Sequence, residues 1–463
     1  MKKQAIDSEG SMDRISELPQ HLLHDILCFL SQKEALQTSV LSKLWRYLGS
    51  TRPNLDFDER HFYRNKEKLP SVVDKTLQRY HDQKLSLQEF CLTFSGYDSE
   101  SIPFLEKWIP IVILNMGVKT FHLSFLPNDC DVSLPHVFFK SETLQSLVLC
   151  GRILIRTPID NVILCKNLQT LIFEEVFIEN DTLDMILSSC HLIETLALRR
   201  CRGLRTIKLD DRIRLKLFEF YRYNDIIQKL HYPSIEINAP TLETLTIAWS
   251  PSWFNIRNYL FAHLKSLCLE GVRLSSWSFD SFSSNFPCLE KLSLIDCDGF
   301  DEFKLSSRSI KNFIIKYGGD NPLKAVIDAP SLVGFEYRGY DILIPQPISF
   351  QATASEWKSK ISVLCDMTVD DSVSSLWWLE LYEFLKALGK SKISLRILQK
   401  FGANVDITKE EEEEDTYGGL CEPVVVERLV LSSEGRPNPS SGFLKNLKKI
   451  CCARKWASEE ETE

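Results

Sequence analysis

The chain has 463 residues, 44% of them hydrophobic and 25% charged, and a formal net charge of −8 at pH 7. These values are ordinary for a soluble globular protein or a repeat array and argue against a nucleic-acid-binding protein, whose domains usually carry a basic face. The longest apolar run, Trp108 to Leu114, is too short to span a bilayer, and the N-terminus MKKQAIDSEGSMD lacks the apolar core of a signal peptide. The 14 cysteines are scattered without a CxxC motif, so we expect free thiols in a reducing compartment.

The N-terminal segment 13–50 predicts three short helices. Pro19 suits the first position of the first helix, where a missing N–H costs nothing. The stretch Ser31-Gln32-Lys33-Glu34 is a predicted capping box that starts the second helix. Ser42 is the predicted N-cap of the third helix, which Gly49 ends.

This small module carries more apolar surface than it can bury. On the first helix the apolar side chains cover roughly 160° of the surface, wider than the roughly 100° stripe that one core needs. They are Leu22, Leu23, Ile26, Leu27, Phe29 and Leu30, followed at helical spacing by Ala35, Leu36, Val40, Leu41, Leu44, Trp45 and Leu48. Chains of about 40 residues usually need a metal, a disulfide or a partner to be stable. We therefore expect the excess surface to meet either the rest of the chain or another protein.

Three stretches of the module resemble the F-box: ISELP at residues 15–19, the first helix with its leucine and isoleucine pairs, and SVLSKLWRYL at residues 39–48. The continuation PNLDF, residues 53–57, is similar to the segment directly after the F-box in the large plant F-box/leucine-rich-repeat family. That family often has Arg where this chain has Leu44. The resemblance implies docking onto a Skp-family adaptor and, through the adaptor, onto the cullin scaffold of a ubiquitin ligase. Apolar helices with aromatic anchors suit such an interface.

By this resemblance we predict a set of adaptor-binding residues: Leu18, Pro19, Leu22, Ile26, Leu27, Val40 and Leu41. Plain core packing is the alternative role for each of them. For a second set, Leu23, Leu30, Leu44 and Trp45, we expect core packing, as is usual for these residue types.

Residues 85–340 repeat the pattern L-x-x-L-x-L with other apolar residues at some positions. The motifs begin at Leu87, Val118, Leu144, Leu168, Ile193, Leu215, Leu242, Leu264, Leu289, Ile310 and Leu332. From residue 144 on, the steps between starts are 24, 25, 22, 27, 22, 25, 21 and 22, within or near the range of leucine-rich repeats. The last two apolar residues of each motif alternate on a short predicted strand, and stacked units close a core that one unit cannot.

Two further features fit this repeat. Cys201 and Cys297 lie three residues after the last apolar position of their motifs, where the consensus has Asn or Cys, so we predict a structural role for both. The segments INAPTL, residues 237–242, and IDAPSL, residues 327–332, are similar to segments that recur in plant F-box repeat proteins. Their proline predicts a turn ahead of the strand. We expect variable, partly non-helical segments on the convex side.

After residue 340 the period lengthens, and the order of elements resembles the FBD-like region found after the repeats in some of these plant proteins. We predict strands at 348–354, 361–367, 393–398 and 424–431, and a helix from Asp371-Ser372 to Leu388 that Gly389 stops. A final helical face holds Phe443, Leu444, Leu447, Ile450 and Cys451. The acidic run at residues 410–415 predicts a solvated loop. The region is expected to continue the stack, with a cap for the last open strand edge.

No sequence pattern for catalysis is present. The chain has no P-loop, GxGxxG, HExxH or GxSxG motif, so we expect neither enzyme activity nor a cofactor. His21 and His24 lack further metal ligands nearby, which favours a solvated face. In Asp296-Cys297-Asp298-Gly299 the glycine is at the fourth rather than the sixth position of a calcium loop. The Cys190-His191 pair, with no identifiable partner, favours a helix-to-strand junction over a catalytic pair.

The sequence thus predicts an α/β fold in which a three-helix F-box precedes a curved leucine-rich-repeat solenoid with its strands on the concave face. The predicted boundaries are 1–12 for a disordered N-terminus, 13–50 for the F-box, 51–84 for a linker or the start of the solenoid, 85–340 for the repeats, 341–455 for the C-terminal repeat-like or FBD-like region and 456–463 for a disordered acidic tail.

The function implied by the resemblance is that of a substrate-recognition subunit of an SKP–cullin–F-box ubiquitin ligase in the nucleus, the cytoplasm or both. The expected partners are a Skp-family adaptor, a cullin through the adaptor and an unknown target protein, and neither nucleic acid nor a membrane. Predicted target-binding residues are exposed strand-face positions: Glu243, Thr244, Thr246, Lys265, Ser266, Glu290, Lys291 and Ser293. The alternatives are a non-catalytic interaction scaffold without a role in ubiquitylation and an enzyme with an unrecognised site in the solenoid.

The basic cluster near the C-terminus leaves two roles open. Its members are Lys445, Lys448, Lys449, Arg454 and Lys455. They fit a solvated helix face, and a nuclear localisation signal is the alternative.

Overall fold

A computed structural model describes most of the chain. The described residues are 15, 18–30, 32–62, 68–94, 101–126, 131–134, 136–155, 163–222, 233–249, 261–274, 282–299, 302–318, 323–340, 343–345, 348–351, 357–367, 375–401, 422–434 and 441–457. The chain divides into two compact units, residues 1–204 and 205–463. None of the described helices is long and apolar enough to cross a membrane.

The first unit begins with three short helices and continues with strands that alternate with longer connections. Its elements are α1 Gln20–Cys28, α2 Gln32–Thr38, α3 Lys43–Ser50, β1 Asn54–Asp58, a 3-10 turn Glu59–Phe62, α4 Lys68–Asp82, β2 Glu89–Phe94, α5 Ser101–Asn115, β3 Thr120–Phe125, β4 Val132–Leu134, a 3-10 turn His136–Lys140, β5 Ser146–Cys150, β6 Ile153–Ile155, β7 Thr170–Glu174, β8 Phe177–Ile178, α6 Asn180–Ser189 and β9 Thr195–Arg199.

Two parallel sheets organise the first unit. The main sheet has the order β1-β2-β3-β5-β7-β9, and a short side sheet has the order β4-β6-β8. Every strand in these sheets pairs in parallel with its neighbour. Parallel pairing needs a crossover after each strand, and the helices and the side-sheet strands lie in these crossovers.

The second unit continues the same alternation to the C-terminus. Its elements are β10 Thr206–Leu209, β11 Leu217–Tyr221, β12 Ser234–Ile237, β13 Thr244–Ala248, β14 Ser266–Glu270, α7 Phe282–Asn285, β15 Lys291–Ile295, β16 Glu302–Ser306, β17 Asn312–Tyr317, β18 Lys324–Asp328, β19 Gly334–Gly339, β20 Ile348–Gln351, β21 Lys358–Met367, α8 Ser375–Ala387, β22 Lys392–Phe401, β23 Val424–Glu434, α9 Ser441–Ile450 and β24 Cys451–Ala457.

The main sheet of the second unit has ten strands in the order β11-β13-β14-β15-β17-β19-β21-β22-β23-β24. Two short side sheets, β10-β12 and β16-β18-β20, lie in the connections. The strands of the main sheet are in register, so that residues at equivalent repeat positions form continuous rows across it.

The leucine pattern explains the core of both units. In β5 the two motif leucines, Leu147 and Leu149, are completely buried, and Val148 between them is half-buried. The first residue of the same motif, Leu144, is also fully buried just ahead of the strand. Phenylalanines at these inward positions stack along the sheet, as with Phe90 and Phe121, whose ring centroids are 5.7 Å apart. A core built this way is contributed by neighbouring repeats in succession.

The structure confirms the predicted repeat fold. Each of the eleven predicted motifs contains a strand of a main sheet. The thiols of Cys201 and Cys297 donate to the carbonyl oxygens of Phe173 and Leu269, both at 3.4 Å, which is the predicted structural role. The INAPTL and IDAPSL segments form the same turn, in which Leu242 and Leu332 donate backbone hydrogen bonds to Ala239 at 3.1 Å and Ala329 at 3.0 Å.

The C-terminal region differs from the prediction at its end. Cys451, predicted on a helical face with Phe443, instead begins β24, which pairs with β23 and extends to Ala457. Two residues of the predicted disordered tail therefore lie in a strand, as do Arg454 and Lys455 of the basic cluster. The strand extends the main sheet by one position, so that β24 rather than β23 is the last strand of the sheet.

Several predictions fall on residues outside the described part of the chain. These are the disordered N-terminus at residues 1–12, the capping box at Ser31, the helix start at Asp371-Ser372, the acidic loop at residues 410–415 and residues 458–463 of the acidic tail.

Candidate functional site

The three N-terminal helices enclose a small apolar core. It consists of Leu23, Leu27, Ala35, Trp45 and Leu48, with Leu30 packed against it. Leu23 and Leu27 are four residues apart and therefore lie on one face of α1. α3 contacts both α1 and α2, so its tryptophan closes the core from the third side.

Local sequence signals set the position of α3. Ser42 accepts a hydrogen bond from the backbone N–H of Trp45 at 3.2 Å, which is the predicted N-cap. Gly49 is buried near the end of this helix, and a Cβ there would lie 3.3 Å from the carbonyl oxygen of Ala35. The close approach of the helix end to α2 thus favours glycine.

Hydrogen bonds attach this module to the start of the repeats. The hydroxyl group of Tyr80, on α4, donates to the carbonyl oxygen of Arg52 at 2.7 Å, and the guanidinium of Arg79 donates to that of Ser50 at 3.0 Å. Burial raises the pKa of Tyr80 to about 12, so its hydroxyl group stays a donor at neutral pH. The module is therefore fixed to the repeats through the C-terminal end of α3 and the segment that follows it.

Most of the other apolar side chains that the structure describes in the module are exposed. We call them the exposed apolar set: Leu18, Pro19, Leu22, Ile26, Phe29, Val40, Leu41, Leu44 and Tyr47. Leu22 and Ile26 on α1 and Phe29 directly after it follow one another at helical spacing, and Phe29 is 90% exposed. Val40 is 81% exposed in the turn between α2 and α3. Polar residues such as Asp25, Lys43 and Arg46 are exposed around them. An apolar centre with a polar rim is the anatomy of a protein interface.

The structure places most of the predicted adaptor-binding residues in this set, with one exception. Leu18, Pro19, Leu22, Ile26, Val40 and Leu41 are exposed, with Leu22 at 40% and Ile26 at 37%. Leu27 is completely buried, which corrects its predicted place on the surface. The reason is that Leu27 follows Ile26 by 100° around α1 and so shares the inner stripe with Leu23.

The second predicted set also divides. Leu23 and Trp45 are buried and Leu30 packs against the core, as expected, but Leu44 is 37% exposed. Phe29 and Tyr47, which the sequence analysis did not assign to the adaptor, are exposed as well. Phe29 follows Ile26 by three residues and Tyr47 follows Leu44 by three residues. This helical spacing could have predicted that they lie on the same exposed side.

The predicted target-binding positions are only partly available on the sheet face. Thr246 is 9% exposed and Ser293 is 5% exposed, which corrects the expectation that both are surface residues. Both belong to one row of the sheet, in which Cys268 lies between them. Neighbouring strands lie about 4.8 Å apart, so larger side chains in the row cover these short ones. Thr244 and Ser266 are half-buried, and Lys291 is exposed.

The charged positions of the same prediction are paired within the chain. Lys265 donates to the carboxylate of Glu243 at 2.8 Å, and Lys311 donates to that of Glu290 at 2.8 Å. The hydrogen bond from Lys265 lowers the pKa of Glu243, and the same bond raises the pKa of Lys265. These exposed pairs form an alternating ladder of charges ahead of strands β13 to β17, with little net charge to attract a partner.

Comparison with known proteins matches both parts of the molecule. The F-box domain family model matches residues 15–56. The family model described as "FBD-associated F-box protein At5g56370, LRR repeats" matches residues 105–221 and 214–338, about half of the chain.

Similar proteins come from Arabidopsis thaliana. F-box/LRR-repeat protein At3g59200 is 34% identical over 197 residues, which cover 41% of this chain and 37% of that protein. F-box/LRR-repeat protein 25 is 28% identical over 241 residues, covering 51% of this chain and 86% of that protein. FBD-associated F-box protein At1g66310 is 29% identical over 248 residues, which cover 52% of this chain and 54% of that protein. The matched region thus spans well under half of the first of these relatives.

The two family matches agree with the structure. The F-box model covers the three-helix module with its exposed apolar set, and the repeat model covers strands of both main sheets. The chain therefore belongs to the plant F-box/leucine-rich-repeat family, with repeats of the FBD-associated type.

Proposed function

We propose that this protein is the substrate-recognition subunit of an SKP–cullin–F-box ubiquitin ligase. The exposed apolar set binds a Skp-family adaptor, which links the chain to a cullin, and the repeat units bind the target protein. F-box domains typically bind Skp1-type adaptors, and F-box/LRR proteins are typically non-catalytic adaptors. The proposal places the protein in the nucleus, the cytoplasm or both.

The observation that carries this proposal is the exposure of one side of the module. Covering a large apolar side chain contributes about 1.5–3 kcal/mol, and the exposed apolar set holds several such side chains within one short segment. The adaptor supplies that cover. Because Leu27 is buried, the proposed contact residues are Leu18, Pro19, Leu22, Ile26, Phe29, Val40 and Leu41.

The proposed role in ubiquitin transfer is proximity. A target held on the repeats has its lysines at a high effective concentration near the transferase of the complex, without any reacting group from this chain. The face of the main sheet and the segments at the strand ends are the proposed target-binding surface. Thr246 and Ser293 are left out of it because they are covered by their neighbours.

Co-purification tests the proposal. The tagged full chain is expressed with a Skp-family adaptor and a cullin, and the three proteins are expected to elute together. The purified assembly, supplied with ubiquitin and its activating and conjugating enzymes, is expected to modify proteins that bind the repeats. Recovery of the adaptor without the cullin would overturn the ligase role and leave an interaction scaffold.

A further inference from the structure

Two cysteine thiols of neighbouring repeats lie against each other in the first unit. The Sγ atoms of Cys165 and Cys190 are 3.4 Å apart, both residues are completely buried, and both thiols are free. We call these two residues the thiol pair. The thiols of Cys201 and Cys297 differ from them, because they donate to backbone carbonyl oxygens. In the thiol pair each sulfur has a second sulfur as its neighbour.

Equivalent positions in two successive repeats bring the thiol pair together. Cys165 lies three residues ahead of Leu168, the first apolar residue of its motif, and its carbonyl oxygen accepts the Leu168 backbone N–H at 3.1 Å. Cys190 lies three residues ahead of Ile193 and accepts its backbone N–H at 3.3 Å. The strands that follow, β7 and β9, pair in register. The two cysteines therefore occupy the same place in the same turn, one repeat apart.

The same repeat position holds touching side chains in the second unit. Phe261 and Phe286 occupy it there, three residues ahead of Leu264 and Leu289. Their rings stack with centroids 5.4 Å apart. At this position a repeat thus reaches its neighbour through side chains, and the geometry that stacks the two phenylalanines also sets the contact of the thiol pair.

The spacing of the repeats suits a disulfide bond between the two cysteines. Neighbouring strands lie about 4.8 Å apart, and a disulfide requires Cα atoms about 4.4–6.8 Å apart. An S–S bond is about 2.05 Å long, so the Sγ atoms need to approach by roughly 1.4 Å from their separation of 3.4 Å. Rotation of the two side chains about their Cα–Cβ bonds supplies a movement of that size.

The contact also makes the two thiols different. When Cys165 is ionised, the Cys190 thiol donates a hydrogen bond to its sulfur, which lowers the pKa of Cys165. The same contact raises the pKa of Cys190, and burial raises it further. The thiolate is the reactive form of cysteine. Cys165 is therefore the nucleophile of the pair, and Cys190 keeps its proton until the second step.

A local opening is enough to expose the thiol pair. Leu164 and Lys166, on either side of Cys165, are both exposed, and so is His191 directly after Cys190. The pair thus lies just beneath the surface of two turns. Turns and loops open at a lower free energy than the strands of a core. A molecule as small as hydrogen peroxide reaches the sulfur atoms in the open state.

We propose that the thiol pair is a modification site at which a peroxide forms a reversible disulfide bond that clamps two neighbouring repeats of the first unit. In a reducing compartment the free pair is the resting state, and the bond forms on exposure to the peroxide. The clamp joins the turn at Cys165 to the end of α6, which Cys190 follows directly. It does not depend on adaptor binding, since it needs only the two thiols and the oxidant.

The reaction has two steps. The Cys165 thiolate attacks one oxygen of hydrogen peroxide and breaks the O–O bond, which gives a sulfenic acid and a hydroxide that takes up a proton to form water. The Cys190 sulfur then attacks the sulfenic sulfur, and its proton leaves with the displaced hydroxide as a second water. Two thiols are oxidised to one disulfide while one peroxide is reduced to two waters. A dithiol such as dithiothreitol reverses the bond by exchange.

Peptide mapping of the full chain tests the inference. The reduced chain is treated with hydrogen peroxide, its remaining thiols are blocked with N-ethylmaleimide in denaturant, and a tryptic digest is analysed without reductant. Trypsin separates the two cysteines into residues 157–166 and residues 167–199, with one cysteine in each peptide. These two peptides are expected as the main linked species, two hydrogens lighter than their sum, and dithiothreitol should separate them.

Three outcomes of the mapping would overturn the inference. They are linkage of either cysteine mainly to a different cysteine, oxidation of Cys165 to a sulfinic acid without a link, and an unreacted thiol pair under conditions that oxidise the exposed Cys288 and Cys452.

A variant and its control locate the link. Cys165→Ser removes one thiol at nearly constant size and is expected to abolish the link, leaving Cys190 to be blocked by N-ethylmaleimide. The control, Cys288→Ser with Cys452→Ser, removes two exposed thiols and is expected to keep the yield of the link unchanged. Loss of the link in the control would show that it forms by exchange with surface thiols and contradict direct oxidation of the pair.

Thermal unfolding of the unchanged chain measures the clamp without a variant. A disulfide between residues 25 positions apart restricts the unfolded chain, so peroxide treatment should raise the unfolding temperature of the first unit by about 5 °C or more. Dithiothreitol should restore the original temperature. An unchanged temperature in a sample that mapping shows to be linked would contradict the clamp.

Discussion

The three-helix module exposes many of its large apolar side chains, whereas the repeats bury nearly all of theirs. Of the 18 large hydrophobic side chains exposed in the described part of the chain, nine lie between residues 15 and 47. The described positions of residues 85–340 contribute four of the 18. These four are Leu114, Leu164, Val333 and Tyr340. A segment of about thirty residues thus exposes more large apolar side chains than the whole repeat region.

This difference in exposure follows from which elements pack against a repeat strand and which pack against α1. A repeat strand lies between two others of its own chain, so its inward residues are covered by the repeats before and after it. The helix α1 has the core on one side, where Leu23 and Leu27 lie, and solvent on the side of Leu22 and Ile26. The repeats cover their own apolar side chains, whereas the module leaves one side of α1 exposed, as the proposed adaptor contact requires.

The largest expected effect is on adaptor binding. The double variant Leu22→Asp with Ile26→Asp should weaken adaptor affinity about a thousandfold, since losing each of two interface anchors costs about 2 kcal/mol or more. The repeats should stay folded, because both side chains are exposed and make no part of the core. Calorimetric titration with purified adaptor and thermal unfolding of the variant measure the two effects.

A matched control for this variant is Val333→Asp with Leu376→Asp, which changes two exposed apolar residues of the second unit. It should leave adaptor affinity unchanged. Unchanged affinity in the Leu22 and Ile26 variant would contradict the assignment of these residues to the interface.

Truncation of a core side chain should lower the stability of the module. Leu27→Ala removes a completely buried side chain and should lower the free energy of unfolding of the module by about 2–5 kcal/mol. Leu22→Ala should change it by about 0.5 kcal/mol or less, because its side chain is exposed in the free chain. Hydrogen exchange of the α1 and α3 amide groups compares the two. Equal protection in both variants would contradict the two-sided description of α1.

Two glycines with the same positive φ, one in a crowded position and one in open space, give a third comparison. Gly271 has φ +58°, and a Cβ there would lie 2.4 Å from the ring of Trp249. Gly271→Ala should cost about 1–3 kcal/mol, from the strained backbone and the clash together. Gly389 also has φ +58° but has no atom within 4 Å of the added Cβ, so Gly389→Ala reports the backbone strain alone. Chemical denaturation measures both, and equal costs would contradict close packing at Gly271.

The smallest effect concerns an ion pair of the first unit. Asp131 accepts hydrogen bonds from Arg202 at 2.7 Å and Arg152 at 2.9 Å, and the bond from Arg202 is the main cause of its lowered pKa. The carboxylate side chain is 31% exposed, so Asp131→Asn should cost about 0.5–1 kcal/mol.

This contribution has a defined pH dependence. A lowered pKa in the folded chain means that the stabilisation is present above the ordinary Asp pKa of about 3.9 and is lost as pH falls through the folded value. The stability difference between the natural chain and Asp131→Asn should therefore vanish in acid. A difference that persists below pH of about 2 would contradict the ionic origin. Asp25→Asn, at an exposed site on α1, is the control.

The sequence predicted the repeats well because their signal is repeated. The spacing of two apolar residues on each strand recurs along the chain, and every predicted motif proved to contain a strand. The short side sheet β10-β12 was not predicted, because its strands lie in connections that follow no shared pattern. Cys451 was assigned to a helix because apolar residues at 443, 447 and 450 continue to it at helical spacing.

The candidate site was only partly predictable, for a geometric reason. Leu22 with Ile26 and Leu23 with Leu27 form two neighbouring stripes on α1, and either could face the core. The choice depends on where α3 places Trp45, which is a tertiary contact that spacing alone does not contain.

Calorimetric titration of the purified full chain with a purified Skp-family adaptor at several temperatures tests the central claim most directly. If the exposed apolar set is an adaptor interface, binding should have a stoichiometry of about one and a negative heat-capacity change, the mark of buried apolar surface. A chain that gives no binding heat at any temperature, and that elutes as a monomer in the presence of the adaptor, would contradict it.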